Sequence, residues 1–272
     1  MSNLMLTPKE VVNETVEIGT AKTTKDNLSV FLSAILAGFF IGLGYVGYLI
    51  VASKIQDPGI GKFIGASVFP AGLMLVLIVG AELFTGNNLI TLSFLNRKST
   101  LKGLLRNWSI VLIGNLIGAL ILALLIWGSG MFEVVVDGKV TGLNSAGAAA
   151  IKLSAAKTSL SFSQALLRGI LCNIVVTLAV MMAYSAKDIS GRILAIWFPI
   201  MLFALSGYEH SIANMFVLPV AKMLGGDFSV ADILGNLVPV TLGNIIGGGI
   251  IVPVVYYFIY LRKGREQREP KQ

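Results

Sequence analysis

A single histidine carries most of the chemical information in this chain. His210 is the only histidine among 272 residues. It lies in Leu205-Ser206-Gly207-Tyr208-Glu209-His210-Ser211-Ile212-Ala213-Asn214-Met215-Phe216, a polar interruption of an otherwise apolar stretch. Ionisable side chains at membrane depth are costly and mark cavities, pores or partners. Imidazole ordinarily titrates near neutrality, so it can trade a proton with a passing weak acid. This chemistry points to a transport pathway. The structural alternative for His210 is a core histidine bonded to Glu209 or to a carbonyl. Catalysis is disfavoured: there is no second His, no Gly-x-Ser-x-Gly elbow and a single Cys. Neither a hydrolytic triad nor a usual zinc set can be assembled from those residues. No catalytic residue, metal or cofactor is expected.

Composition supplies the setting. Hydrophobic residues make up 55% of the chain and charged residues 13%, with a mean hydropathy of +0.82. A soluble domain of this length needs more surface charge. Apolar runs near the roughly 20 residues required to cross a bilayer predict six spans: 28–53, 60–95 (interrupted), 106–127, 163–186, 192–222 (interrupted) and 231–261. The first is too long, and too late after a mixed-charge head, for a cleaved signal peptide. Cys172 lies inside span four and reads as a small apolar filler. With six spans both termini share one side, which receives 14 Lys and Arg against 7 on the other. The positive-inside rule then puts both termini in the cytoplasm, with the chain in the inner membrane. This distribution argues against nucleic acid as the reason for the +7 net charge. Residues 262–272 form a basic tail suited to anionic lipid. Residues 1–27 form a head whose Val11, Val12, Val16 and Ile18 among acidic and basic residues predict an amphipathic helix. Such a helix suits the membrane surface or the pore mouth, as a gate or as an inert anchor.

The channel domain, 28–261, contains an internal echo. Val111-Leu112-Ile113-Gly114-Asn115-Leu116-Ile117-Gly118 resembles Val240-Thr241-Leu242-Gly243-Asn244-Ile245-Ile246-Gly247, and Gly80-Ala81-Glu82 resembles Gly207-Tyr208-Glu209. The offsets, 129 and 127 residues, nearly agree. Two halves of three spans each, about 28–127 and 163–261, must insert in opposite senses. Inverted repeats with broken helices are a recurring design of transporters, with the pathway at the repeat interface. Both Gly-x-Glu echoes interrupt apolar runs, so spans two and five are expected to be broken. Unwound backbone survives in a membrane only where protein buries it or it lines a cavity. Glu82 and Glu209 are expected to support those breaks by accepting from orphan N–H groups. Glycines spaced by four, such as Gly38 and Gly42, read as close-packing faces.

These segments make the chain recognisable. Gly80-Ala81-Glu82-Leu83-Phe84-Thr85-Gly86-Asn87, Arg168-Gly169-Ile170-Leu171-Cys172-Asn173, Gly207 to Phe216, and Pro239 to Gly249 resemble the formate/nitrite transporter family. The resemblance covers nearly the whole chain. It implies an all-α integral membrane protein with six transmembrane helices per protomer in an aquaporin-like arrangement, each protomer of a pentamer holding its own pore. Carried over by residue, it implies a pore centre of His210 and Thr85, with Asn173 and Asn214 nearby. Leu73, Leu83 and Phe84 match a cytoplasmic constriction. Phe69, Val176 and Phe203 match an outer one. Lys157 matches a lysine of the outer vestibule. Tyr208 departs from the pattern, since Phe is common there in formate channels.

The expected function is passage of a small monovalent weak-acid anion, formate first, with nitrite, hydrosulfide or a short-chain acid as alternatives. Lys157 raises the local anion concentration. An apolar ring then penalises a bare charge far more than a protonated acid. His210 holds the anion or hands it a proton, and Thr85 bonds to the ligand or orients the ring. A non-transporting membrane scaffold is the more distant alternative.

Overall fold

Capping chemistry sets where the helices begin. The computed structural model describes residues 5–262. Thr7 and Glu10 form a reciprocal capping box at the start of α1 (Pro8–Thr24). Hydrogen bonds from the Thr7 hydroxyl and backbone N–H hold the Glu10 carboxyl below its ordinary range. Asp26 caps α2 (Asn27–Ala52), and Asp57 caps α3 (Pro58–Val68), whose first residue is a proline that needs no N–H partner. The run continues through α4 (Ala71–Met74) into a π-helical turn, Leu75–Gly80. Helical pairing stops there. Gly80 takes a φ of +105°, Ala81 and Leu83 are extended, and helix resumes as α5 (Phe84–Asn87) and α6 (Ile90–Leu95). Thr100 caps α7 (Leu101–Gly128).

After a hairpin described below come α8 (Ser145–Thr158), capped by Asn144, and α9 (Phe162–Ser185), opened by a Ser161–Gln164 capping box. Asp188 caps α10 (Ile189–Ser206), which ends where Gly207 turns left-handed with a φ of +73°. A side chain with a Cβ is strained in that conformation, so glycine suits the stop. His210 is extended and precedes α11 (Ser211–Met223). Ser229 and Asp232 open α12 (Val230–Asn244), which continues through Ile245–Ile251, α13 (Val252–Tyr256) and Tyr257–Leu261 with two π-helical stretches.

Six of these runs are long and apolar enough to cross a bilayer: Asn27–Ala52, Pro58–Gly80, Leu101–Gly128, Phe162–Ser185, Ile189–Ser206 and Val230–Leu261. Their number agrees with the sequence reading. Runs two and five stop earlier than the stretches 60–95 and 192–222 predict, because helical pairing lapses at Gly80 and at Gly207.

Two helix pairs dominate the packing, α2 with α7 and α9 with α12. Both approach backbone to backbone through the glycines noted above. A Cβ added at Gly118 would overlap the Ile35 carbonyl, and one at Gly243 would overlap the Leu166 carbonyl. Small residues permit such approach where lipid supplies no hydrophobic drive between helices.

Among the described residues, the all-α expectation fails at one two-stranded sheet. Glu133–Val136 (β1) and Lys139–Leu143 (β2) form an antiparallel hairpin between α7 and α8. Asp137 and Gly138 both have positive φ, the tight-turn geometry that suits a two-residue hairpin, and the flanking β-branched valines favour extended backbone.

The head is also more defined than a surface anchor. Val11, Val12 and Val16 of α1 are buried in one cluster with Leu89, Leu92 and Val180. Ser93 Oγ donates to the Val16 carbonyl at 2.7 Å. The apolar stripe of α1 is therefore covered by protein. Arg262 of the basic tail stacks over Phe258 at 5.6 Å, and residues 263–272 lie outside the described residues.

Gly118→Val and Gly243→Val are expected to cost about 1–3 kcal/mol each by forcing the helix pairs apart. Thermal unfolding in detergent checks this. Gly142→Ala, where a Cβ meets nothing within 4 Å, leaves the midpoint unchanged.

Candidate functional site

Where helix stops inside an apolar layer, its last carbonyls and first N–H groups need partners. One asparagine serves each break. Asn115 Oδ1 accepts from the Phe84 N–H at 2.9 Å, while its Nδ2 donates to the carbonyls of Glu82 at 2.9 Å and Ala34 at 2.7 Å. Asn244 does the same on the other side. Its Oδ1 accepts from the Ser211 N–H at 2.9 Å, and its Nδ2 donates to the carbonyls of Glu209 at 3.0 Å and Gly169 at 2.8 Å. The carboxylates of Glu82 and Glu209 do not accept from these backbone N–H groups, contrary to the sequence expectation. A buried carboxylate needs a counter-charge more than it needs an amide.

The counter-charges are lysines. Glu82 accepts from Lys22 Nζ at 2.5 Å, Lys25 Nζ at 3.0 Å and Asn87 Nδ2 at 2.8 Å. Glu209 accepts from Lys157 Nζ at 2.8 Å and Asn214 Nδ2 at 2.6 Å. Each asparagine amide continues outward, Asn87 to Asn107 Oδ1 at 2.9 Å and Asn214 to Asn236 Oδ1 at 2.8 Å. Each ring then closes on its lysine. Asn107 Nδ2 donates to the Lys22 carbonyl at 3.3 Å, and Asn236 Nδ2 to the Lys157 carbonyl at 2.9 Å. Lys22 is on α1 and Lys157 on α8, so these two helices occupy equivalent places in the two networks.

Between the breaks sits His210. Its Nε2 lies 3.0 Å from Thr85 Oγ1, and its Nδ1 accepts from the Ala213 N–H at 3.1 Å. Because Nδ1 accepts, the neutral ring carries its proton on Nε2 and donates it to Thr85, an assignment that follows from the bond network. The Thr85 hydroxyl hydrogen is then free for a third group. Both residues are buried. The side chain of His210 thus caps α11 and reaches across to α5, joining the two breaks. The core alternative, a bond to Glu209, is not what forms.

A cavity of about 160 Å³ opens on the Lys157 face. His210, Asn214, Glu209, Lys157, Tyr208, Phe69 and Phe203 are among its lining residues. Phe203 stacks on His210 at 5.8 Å and meets Phe69 edge-on at 5.3 Å. On the opposite face a cleft of about 10 Å³ is lined by Leu73 and Leu83, with Lys22 and Asn87. Phe84 is buried against Trp108 at 6.1 Å, and Val176 is buried in the core; neither lines the cavity or the cleft. Asn173 donates to Asn88 Oδ1 at 2.8 Å and to the Asn244 carbonyl at 2.7 Å. It ties helices together and does not line the cavity. Cys172 is buried and free.

Sequence reasoning missed Lys22, Lys25, Asn87, Asn107 and Asn236 as network members. It saw Asn115 and Asn244 only as part of a glycine-rich packing echo. Their signal was present: Asn87 with Asn214, and Asn107 with Asn236, recur at offsets of 127 and 129 residues inside apolar runs.

Helices of this length and apolar character define a multi-pass membrane protein. Comparison with known proteins makes the class specific. The family model for formate/nitrite transporters matches residues 9–258. An uncharacterized transporter, YrhG, of Bacillus subtilis is 38% identical over 271 residues, covering 97% of each chain. The formate channel FocA of Escherichia coli K12 is 35% identical, covering 95% of this chain and 96% of its own. A solved pentameric formate channel with formate bound superposes with a TM-score of 0.74 at 36% identity, over 86% of this chain and 98% of its own. The chain belongs to the formate/nitrite transporter family, whose members are channels and transporters rather than enzymes.

Lys157→Met is expected to destabilise the protein by about 3–5 kcal/mol, because it strands Glu209 as a buried unpaired charge. The double variant Lys157→Met/Glu209→Gln recovers most of that loss. Thermal unfolding of the parent, both singles and the double checks the coupling.

Proposed function

We propose that this chain forms a channel for small monovalent weak-acid anions, with formate as its principal substrate. The observation that carries the reading is the Nε2-to-Oγ1 bond of 3.0 Å between His210 and Thr85, set between an outer cavity and an inner cleft. In this reading the protein is a pentamer of independently conducting protomers, as in the solved formate channel it resembles. Each protomer is an aquaporin-like inverted repeat, with spans two and five broken at Ala81–Leu83 and Gly207–His210. The excess of Lys and Arg on the Lys22 face orients that face, and both termini, toward the cytoplasm of the cell's inner membrane.

The steps follow from the residues. Positive potential around the Lys157 cavity concentrates anions. Phe69 and Phe203 on one side, and Leu73 and Leu83 on the other, raise the cost of a bare charge. At the centre the hydroxyl of Thr85, whose oxygen already accepts from His210, donates to a carboxylate oxygen of the substrate. Asn214 supports the same end of the cavity through its bond to Glu209. Full proton transfer to the substrate requires a doubly protonated ring, which costs α11 its Nδ1 cap. Hydrogen-bond donation through Thr85 therefore holds the anion, and proton transfer completes its neutralisation when the ring is charged. Nitrite and hydrosulfide are the competing substrates for the same chemistry. Tyr208, half-buried in the cavity wall, is the residue through which the ranking of anions departs from a phenylalanine-bearing pore.

The test is flux in proteoliposomes at matched gradients of formate, nitrite and hydrosulfide. Formate is expected to move fastest. A ranking led by nitrite or hydrosulfide reassigns the substrate, and no flux of any of them removes the channel reading. Thr85→Val is expected to lower formate flux at least tenfold, while Thr85→Ser retains it. His210→Asn keeps a good helix cap but removes the titratable ring, so the pH dependence of flux changes; identical profiles for variant and parent contradict the role given to His210.

A further inference from the structure

The outer cavity holds more positive than negative charge. Its lining includes three cations, Lys62, Lys157 and Arg168, and one carboxylate, Glu209. Lys157 and Glu209 compensate each other at 2.8 Å. Lys62 and Arg168 enter no ion pair among the described residues, so two positive charges stand uncompensated. Both residues adjoin the turn that carries the site, Lys62 through its side chain and Arg168 through its backbone. Lys62 Nζ lies 3.8 Å from where a Cβ on Gly207 would sit, and the Arg168 carbonyl accepts from the Glu209 N–H at 3.3 Å. Tyr208, between Gly207 and Glu209 in sequence and also in the cavity lining, is half-buried with no hydrogen bond to its hydroxyl among the described residues. At the opposite cleft the excess is smaller: Lys22, the cation in its lining, is held by Glu82, which also accepts from Lys25.

We propose that Lys62, Arg168 and Tyr208 form a binding site for divalent oxyanions at the mouth of the cavity, where such an ion is held but not passed. The proposal rests on the channel reading for its consequence: a bound dianion blocks the pathway, and only from the Lys157 face. Charge matching selects the ligand class. Two uncompensated cations in one cavity lining are satisfied by a doubly charged oxyanion, and arginine in particular presents paired N–H donors to such groups. A monoanion leaves one charge unmatched and moves on. Deeper passage is closed to the dianion because taking up one proton still leaves it charged at the Phe69–Phe203 contact, where desolvating a charge is most costly. A weak monoacid becomes neutral after a single proton.

Inorganic sulfate is the probe, with chloride at equal ionic strength as the control. Thermal unfolding in detergent reads binding, and formate flux in right-side-out and inverted membrane vesicles reads block. Millimolar sulfate is expected to raise the unfolding midpoint of the parent more than chloride does, and to slow flux when added to one face only. In Lys62→Gln/Arg168→Gln, both positions being exposed, the sulfate needed for half-block rises about tenfold or more, as loss of charged hydrogen bonds predicts. The midpoint shift disappears as well, while formate flux without sulfate persists. Equal block from both faces, or undiminished stabilisation and block in the double variant, overturns the proposal. If the parent passes no formate, the channel reading fails. The binding site is then judged on the unfolding shift alone, and its absence in the parent overturns the site too.

Discussion

Everything in this molecule depends on satisfying a backbone that stops being helical beside a buried interior. Unpaired N–H and C=O groups in an apolar layer cost several kcal/mol each, so two unwound segments would undo the fold unless paired from outside. Asn115 and Asn244 each supply an acceptor to the helix that begins and donors to two carbonyls. Their effect is positional as well as energetic. They fix the starts of α5 and α11, which carry Thr85 and His210, so that a 3.0 Å bond spans the gap. The glycine faces on α2, α7, α9 and α12 let the asparagines come close enough to reach.

A second constraint follows from the first. The breaks bring Glu82 and Glu209 inside, and a buried carboxylate survives only with a counter-charge and hydrogen bonds. Lys22 and Lys157 meet that need with the help of Asn87, Asn107, Asn214 and Asn236. This explains why α1 is docked against the protein body. It brings Lys22, as α8 brings Lys157, and its apolar stripe is buried in the process. Two helices with dissimilar sequences, one an amphipathic head and the other alanine-rich, do the same electrostatic work at opposite ends of the site.

The parts legible in the sequence were those that violate expectation locally. A lone His beside Glu209 in an apolar run stands out, and Glu82 echoes it. Six apolar runs follow from composition and length. The asparagine networks were harder to read because each residue is isolated among Leu, Ile and Gly, and its partners lie on other helices. Asn107 and Asn236 gain meaning only once α7 and α12 are placed against the breaks. Lys22 read as one more charge of a mixed-charge amphipathic head until α1 was seen packed against the protein. The carboxylates were assigned to the nearest backbone N–H groups, which is the local choice; the longer-range lysines won because charge compensation outweighs an amide bond. The Glu133–Leu143 hairpin rests on the Asp137-Gly138 turn, a signal outweighed by the helical character of everything around it.

The central claim is that His210 is a neutral ring whose Nδ1 accepts from Ala213 and whose Nε2 proton engages Thr85. Because the chain has one histidine, ¹⁵N-histidine labelling and solid-state NMR in lipid report on that ring alone. The account predicts an unprotonated Nδ1 and a protonated, hydrogen-bonded Nε2 near neutral pH, with the Nε2 signal shifting when formate is added and when Thr85 is replaced by Val. A protonated Nδ1 with a bare Nε2, or an Nε2 signal indifferent to both formate and Thr85→Val, would contradict it.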